Sequence, residues 1–96
     1  MIKHVVMWKF KEENKEENMK KAKELLLALP PMIYEIKKMQ VYFDVGHKEM
    51  SMDLMLDTEF DSLEALESYT VNPEHQKVSN FIRSVIESRV VLDSEI

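Results

Sequence analysis

Every second residue from Ile2 to Phe10 falls on one face of an extended chain: Ile2, His4, Val6, Trp8 and Phe10, with Val5 and Met7 opposite them between Lys3 and Lys9. A period of two predicts a β-strand, and apolar residues on both faces predict one covered from both sides. The period then changes to three and four. Met19, Ala22, Leu26 and Leu29, with Leu25 beside them, form the apolar stripe of an amphipathic helix. Asn14 is its expected N-cap, with Glu16 and Glu17 in the first turn, and Pro30-Pro31 ends it. A second strand is expected from Ile33 to Val45, a hairpin turn at Gly46-His47-Lys48-Glu49, and a third strand from Ser51 to Phe60. Asp61-Ser62-Leu63-Glu64 reads as a capping box with Asp61 as cap, opening a helix that carries Leu63, Leu66 and Tyr69. Pro73 restarts the helix, whose buried side is Val78, Phe81, Ile82 and Val85, and Arg89 to Asp93 closes the chain as a fourth strand.

The order β-α-β-β-α-β predicts an α+β, ferredoxin-like fold: an antiparallel four-stranded sheet with helices on one face, in a single domain over residues 1–96. The face bearing Ile2, Val6, Trp8 and Phe10 is expected to be the helix-free one. Its cheapest cover is the same face of a second copy, giving a homodimeric α/β barrel. A formal net charge of −5 argues against nucleic acid as partner. No apolar run is long enough for a membrane span, and the absence of cysteine points to the cytoplasm. The single glycine shifts turns onto Asn, Asp and Pro, and eight methionines are expected to fill an irregular core or line a tolerant cavity.

The candidate chemistry sits at the helix break, where Tyr69 and His75 stand six residues apart across Asn72-Pro73. The positive end of the helix dipole keeps an imidazole in the first turn neutral, so His75 can serve as a general base, with Tyr69 as acid or orienting group. The alternative is that His75 caps the junction through backbone bonds while the Tyr69 ring packs beneath the helix. His4 is either a satisfied core residue or part of the same cavity, and His47 belongs to an exposed turn. The three histidines have no ligand spacing, so neither metal nor cofactor is expected.

Ile2-Lys3-His4-Val5-Val6, Asp53-Leu54-Met55-Leu56, Phe60 to Leu66, Tyr69 with Asn72-Pro73-Glu74-His75, and Ile86 to Asp93 together resemble the stress-responsive dimeric α/β-barrel (Dabb) domain family over essentially the whole chain. The resemblance implies a homodimer whose sheets enclose a shared barrel. Most members have no assigned activity, and a plant member is a cofactor-free polyketide cyclase that uses a histidine and a tyrosine. By position in that motif the histidine role falls on His75 and the tyrosine role on Tyr69, with His4 in the same cavity. This chain has Asn72 where the family usually has histidine, and Leu54 where the cyclase has a further pocket histidine. Similar barrels include heme-degrading monooxygenases, for which His75 is the candidate axial ligand. The expected function is binding of a small apolar or aromatic molecule in a pocket lined by His4, Val6, Trp8 and Leu54. One alternative is a cofactor-free cyclase or lyase using His75 and Tyr69, and another is a purely structural stress-associated dimer.

Overall fold

Strand β1 (Ile2–Phe10) keeps its alternation without a break: Ile2, His4, Val6, Trp8 and Phe10 are buried, and the residues between them are half-buried. The computed structural model describes all 96 residues. After β1 come α1 (Lys15–Leu27), β2 (Lys38–Phe43), β3 (Leu54–Phe60), α2 (Leu63–Val71), α3 (Pro73–Val85) and β4 (Ile86–Glu95). The strands form one sheet in the order β2-β3-β1-β4 with every pair antiparallel, the ferredoxin-like arrangement, its second helix divided in two.

The strand faces are the reverse of the expected ones. Ile2, Val6, Trp8 and Phe10 are covered by the chain's own helices, and they share one core with Leu26 of α1, Tyr69 of α2 and Val78 and Ile82 of α3. The register Val6↔Leu56 and Trp8↔Leu54 brings the buried residues of β3 onto this same side. The helix-free face instead presents Val5, Met7, Met55 and Tyr42, with Val90 and Leu92 of β4. Tyr42, Val90 and Leu92 there are 46%, 51% and 66% exposed. Beside this apolar centre Lys3 bridges Asp57 and Glu59, at 2.9 and 3.2 Å.

Several local expectations shift for identifiable reasons. The strand expected from Ile33 begins only at Lys38, because after Pro30-Pro31 the N–H groups of Met32 and Ile33 turn back to the Leu29 carbonyl. Ile33 and Ile36 still plug the core from this turn, at 1% and 9% exposure. β3 begins at Leu54 rather than Ser51, and the connection before it is a wide loop closed by Asp44 N–H to the Asp53 carbonyl at 2.9 Å. The left-handed residue in that loop is His47 (φ 49°), not Gly46; its N–H donates to the Asp44 carboxylate at 2.8 Å. Asn14 precedes α1 in a left-handed conformation and makes no side-chain cap. Ser62, one residue beyond Asp61, caps α2 by accepting from Ala65 N–H. None of the methionines is fully buried, so the core is built of branched and aromatic residues instead.

Phe60 ends β3 fully buried, its ring 4.9 Å from that of Tyr69 and tilted against it. Phe60→Ala should cost about 3–5 kcal/mol in urea unfolding, a large part of a small domain's total stability. A loss under about 1 kcal/mol would mean that this end of the core is not packed as described.

Candidate functional site

The break between α2 and α3 builds one wall of a cavity, and its cause is Pro73. Proline has no N–H to give to the end of α2, and the Glu74 N–H is taken by the Asn72 side chain at 2.9 Å. The Thr70 carbonyl, which Glu74 would bond in an unbroken helix, is left as a free acceptor. Two side chains of the next turn fill it: His75 Nδ1 at 3.0 Å and Gln76 Nε2 at 2.8 Å. A carbonyl only accepts, so His75 carries its proton on Nδ1 and its Nε2 is a lone-pair acceptor. The junction-capping role and the free basic nitrogen therefore coexist in one ring.

The Tyr69 ring lies against His75, with centroids 4.2 Å apart, and is 1% exposed. Its hydroxyl is buried with no hydrogen-bond partner in the chain, so phenol and imidazole do not bond each other directly. Burial pushes the phenol well above its ordinary value of 10.0, against the positive charge of Arg89, and keeps it a proton donor. Burial also lowers His75 below its ordinary 6.5; the Thr70 bond opposes this, while His4 and Arg89 add to it. At neutral pH the pair is thus a neutral base beside a protonated phenol.

The third group arrives from the sheet. His4, buried on β1, bonds Asp93 of β4 through Nδ1 at 2.5 Å, because the register sets the two directly opposite each other. The carboxylate accepts, so His4 also keeps its Nε2 as an acceptor. Its ring meets Tyr69 edge-on at 6.4 Å. His4, Tyr69 and His75 line a single cavity of about 310 Å³, partly open to solvent and floored by Val6, Trp8 and Leu56. That volume lies at the small end of ligand sites.

Of the expected pocket residues His4, Val6 and Trp8 are present, and Leu54 is not. Leu54 opposes Trp8 one pleat farther along and reaches a separate shallow hollow with Met7, Met52 and Met55, so Leu56 occupies the place expected of it. The cavity lies between the sheet and the helices of one chain, not between two facing sheets. Unanticipated lining residues are Gln76, Ser79 and Arg83 of α3 and Arg89 of β4. The α3 trio was legible as one stripe by its spacing of three and four; Arg89 required the strand register. No three His, Asp or Glu side chains converge on a common point, and no helix is long and apolar enough to cross a membrane.

Residues 2–96 match the family model described as the stress responsive A/B barrel domain (Dabb). No curated protein matches the sequence. Among solved structures the chain is similar to a dimeric protein of unknown function with a ferredoxin-like fold from Bacteroides fragilis NCTC 9343, at 31% identity over 99% of this chain and 95% of that one, with a TM-score of 0.91. It is also similar to a dimeric ferredoxin-like protein of unknown function from Thermobifida fusca, at 19% identity, 99% and 90% coverage and a TM-score of 0.89. A hydroxynitrile lyase from Passiflora edulis matches at 16% identity, 99% and 92% coverage and a TM-score of 0.89. At such identities the last two speak for the fold alone.

A buried hydroxyl without a partner lowers stability, so Tyr69→Phe in the ligand-free protein should be neutral or stabilising by up to about 1 kcal/mol. Calorimetry checks this; a loss beyond about 1 kcal/mol would reveal a hydrogen bond that the hydroxyl already makes.

Proposed function

We propose that this chain, which belongs to the stress responsive A/B barrel domain family, binds a small apolar or aromatic molecule with a carbonyl or hydroxyl oxygen in the cavity between its sheet and α3. The observation that carries this reading is that Tyr69, whose buried hydroxyl has no partner in the chain, lines a cavity floored by Val6, Trp8 and Leu56. A ligand oxygen satisfies that donor, and the ligand body covers Val6, Trp8 and Leu56. The free Nε2 of His75 and of His4 supply acceptors on either side of the tyrosine ring.

One arrangement favours a second step, proton transfer. A base held neutral and a phenol held protonated, both at one cavity, are the parts needed to remove a proton next to a carbonyl. His75 Nε2 takes the α-proton while the Tyr69 hydroxyl hydrogen-bonds the oxygen on which negative charge develops. Return of the proton to carbon leaves the enzyme unchanged, and a cyclisation or lyase reaction uses the same opening move.

The probe is phenylacetone in deuterated buffer, with ligand binding read by thermal stabilisation and chemistry by loss of the α-proton signals in NMR. The wild type should be stabilised and should speed exchange. His75→Ala should bind within about threefold of wild type yet lose nearly all of the acceleration. The rate should be lost as pH falls through a midpoint below 6.5, because the depressed His75 must be neutral to accept a proton. Binding without any exchange above the His75→Ala level would leave a binding protein and end the enzymatic reading. No stabilisation by any small aromatic ketone or alcohol would end both.

We further assign the helix-free face, with Val5, Met7, Met55, Val90 and Leu92 at its centre, to a second copy of the chain; the similar proteins from Bacteroides fragilis and Thermobifida fusca are dimeric. Met7→Asp places a charge in that apolar centre and should yield a folded monomer by light scattering. Trp8→Asp, buried beneath the helices, should instead unfold the chain. A Met7→Asp protein that remains dimeric would place the interface elsewhere.

A further inference from the structure

The chain has only two arginines among its thirteen Lys and Arg residues, and both line the cavity. All the other cations are lysines, and none of these lines it. Nearly one residue in five is acidic (18 of 96), yet no Asp or Glu is among the lining residues either. The nearest acid by bonding, Asp93, is committed to His4. Neither arginine enters an ion pair, whereas lysines 3, 15, 37, 38 and 77 all do. In a protein of net charge −5, this cavity is thus lined by two unpaired guanidinium groups and by no carboxylate.

The two guanidinium groups come from opposite walls. Arg83 lies on α3 four residues beyond Ser79, on the stripe that also carries Gln76. Arg89 comes from β4, set opposite Trp8 by the strand register and so on the helix side of the sheet. Both are exposed, as are few other lining residues, so they stand at the rim while Val6, Trp8 and Tyr69 lie deep. Arginine in place of lysine also matters. Its planar fork matches a carboxylate in a bidentate way, which a single ammonium cannot do.

Resting on the pocket reading above, we propose that the molecule bound there is an amphipathic anion, a carboxylate on an apolar or aromatic body. The carboxylate is held at the rim by Arg89 with Arg83, and the body points inward over Trp8 toward Tyr69. This orientation leaves the inner oxygen or α-carbon near Tyr69 and His75. Other anionic heads of similar shape share this chemistry, so the class is set by charge and by the distance between head and apolar body.

The test uses matched ligands on the intact protein: benzoate, phenylacetate and 3-phenylpropanoate, each against its neutral amide, by titration calorimetry at low salt and pH 7. The wild type should prefer at least one carboxylate over its amide by about tenfold or more, the usual worth of a charge-assisted hydrogen bond. That preference should shrink with added salt. Arg89→Gln should abolish most of it by weakening the carboxylate far more than the amide, and Arg83→Gln should reduce it in part. Both arginines are exposed and unpaired, so the variants should keep the wild-type melting temperature. Equal affinity for acids and amides in the wild type overturns the charge assignment and leaves the pocket reading intact. A carboxylate preference that survives the double Arg83→Gln, Arg89→Gln substitution also overturns it. Binding of neither acids nor amides overturns both readings together.

Discussion

The pairing of β4 with β1 is the contact on which the cavity depends. β4 is an edge strand with hardly a buried side chain, held to the body of the protein by its backbone ladder to β1. Yet it supplies Asp93, which orients His4, and Arg89, whose charge reaches both Tyr69 and His75. Side chains alternate across a strand, so a slip of one residue would send both groups to the opposite face and bring Val90 and Leu92 to the cavity side. The register is anchored where the chain enters the strand. α3 runs into β4 without a loop, and Lys11 N–H bonds the Val85 carbonyl at 2.9 Å just beside the shift at Lys9/Phe10. Helix phase and strand register are thereby fixed relative to each other, which places Arg83 and Arg89 around one opening.

The second constraint is the proline between α2 and α3. It leaves the Thr70 carbonyl without its helical partner, and the replacement donors are a histidine ring and a glutamine side chain. A feature usually described as a helix defect here sets a tautomer. The base that results is not positioned by a neighbouring acid, as in a hydrolase triad, but by backbone geometry that one residue type enforces.

Much of this is legible in the sequence alone. The alternation from Ile2 to Phe10, the double proline at 30 and 31, and the Asn72-Pro73 restart each carry a local cause, and each lies where expected. The closeness of Tyr69 and His75 followed from that restart. What failed was the direction of the first strand's faces. Period two sorts residues into two sets but does not say which set meets the helices when both are apolar; that is decided by Leu54, Leu56 and Phe60 across the ladder. Leu54 was misplaced into the pocket for a related reason, since only the register tells it from Leu56. Arg83 and Arg89 passed unnoticed because a helix and an edge strand bring them together, although their being the only arginines was visible throughout.

β4 contributes side chains to both faces of the sheet. Val90 and Leu92 project toward the helix-free side, while Arg89 and Asp93 project toward the cavity. Alone, an edge strand this exposed is among the least stable parts of a fold, because little buried apolar area resists its fraying. In the proposed dimer, a second copy over Val90 and Leu92 adds burial to the strand that carries Asp93 and Arg89. In that dimer, strength at the helix-free face and order in the cavity are coupled through one strand. The coupling is energetic rather than geometric: it acts by raising the cost of opening β4, and so it bears on Asp93 and Arg89 more than on Tyr69 or His75, which are held from the helix side.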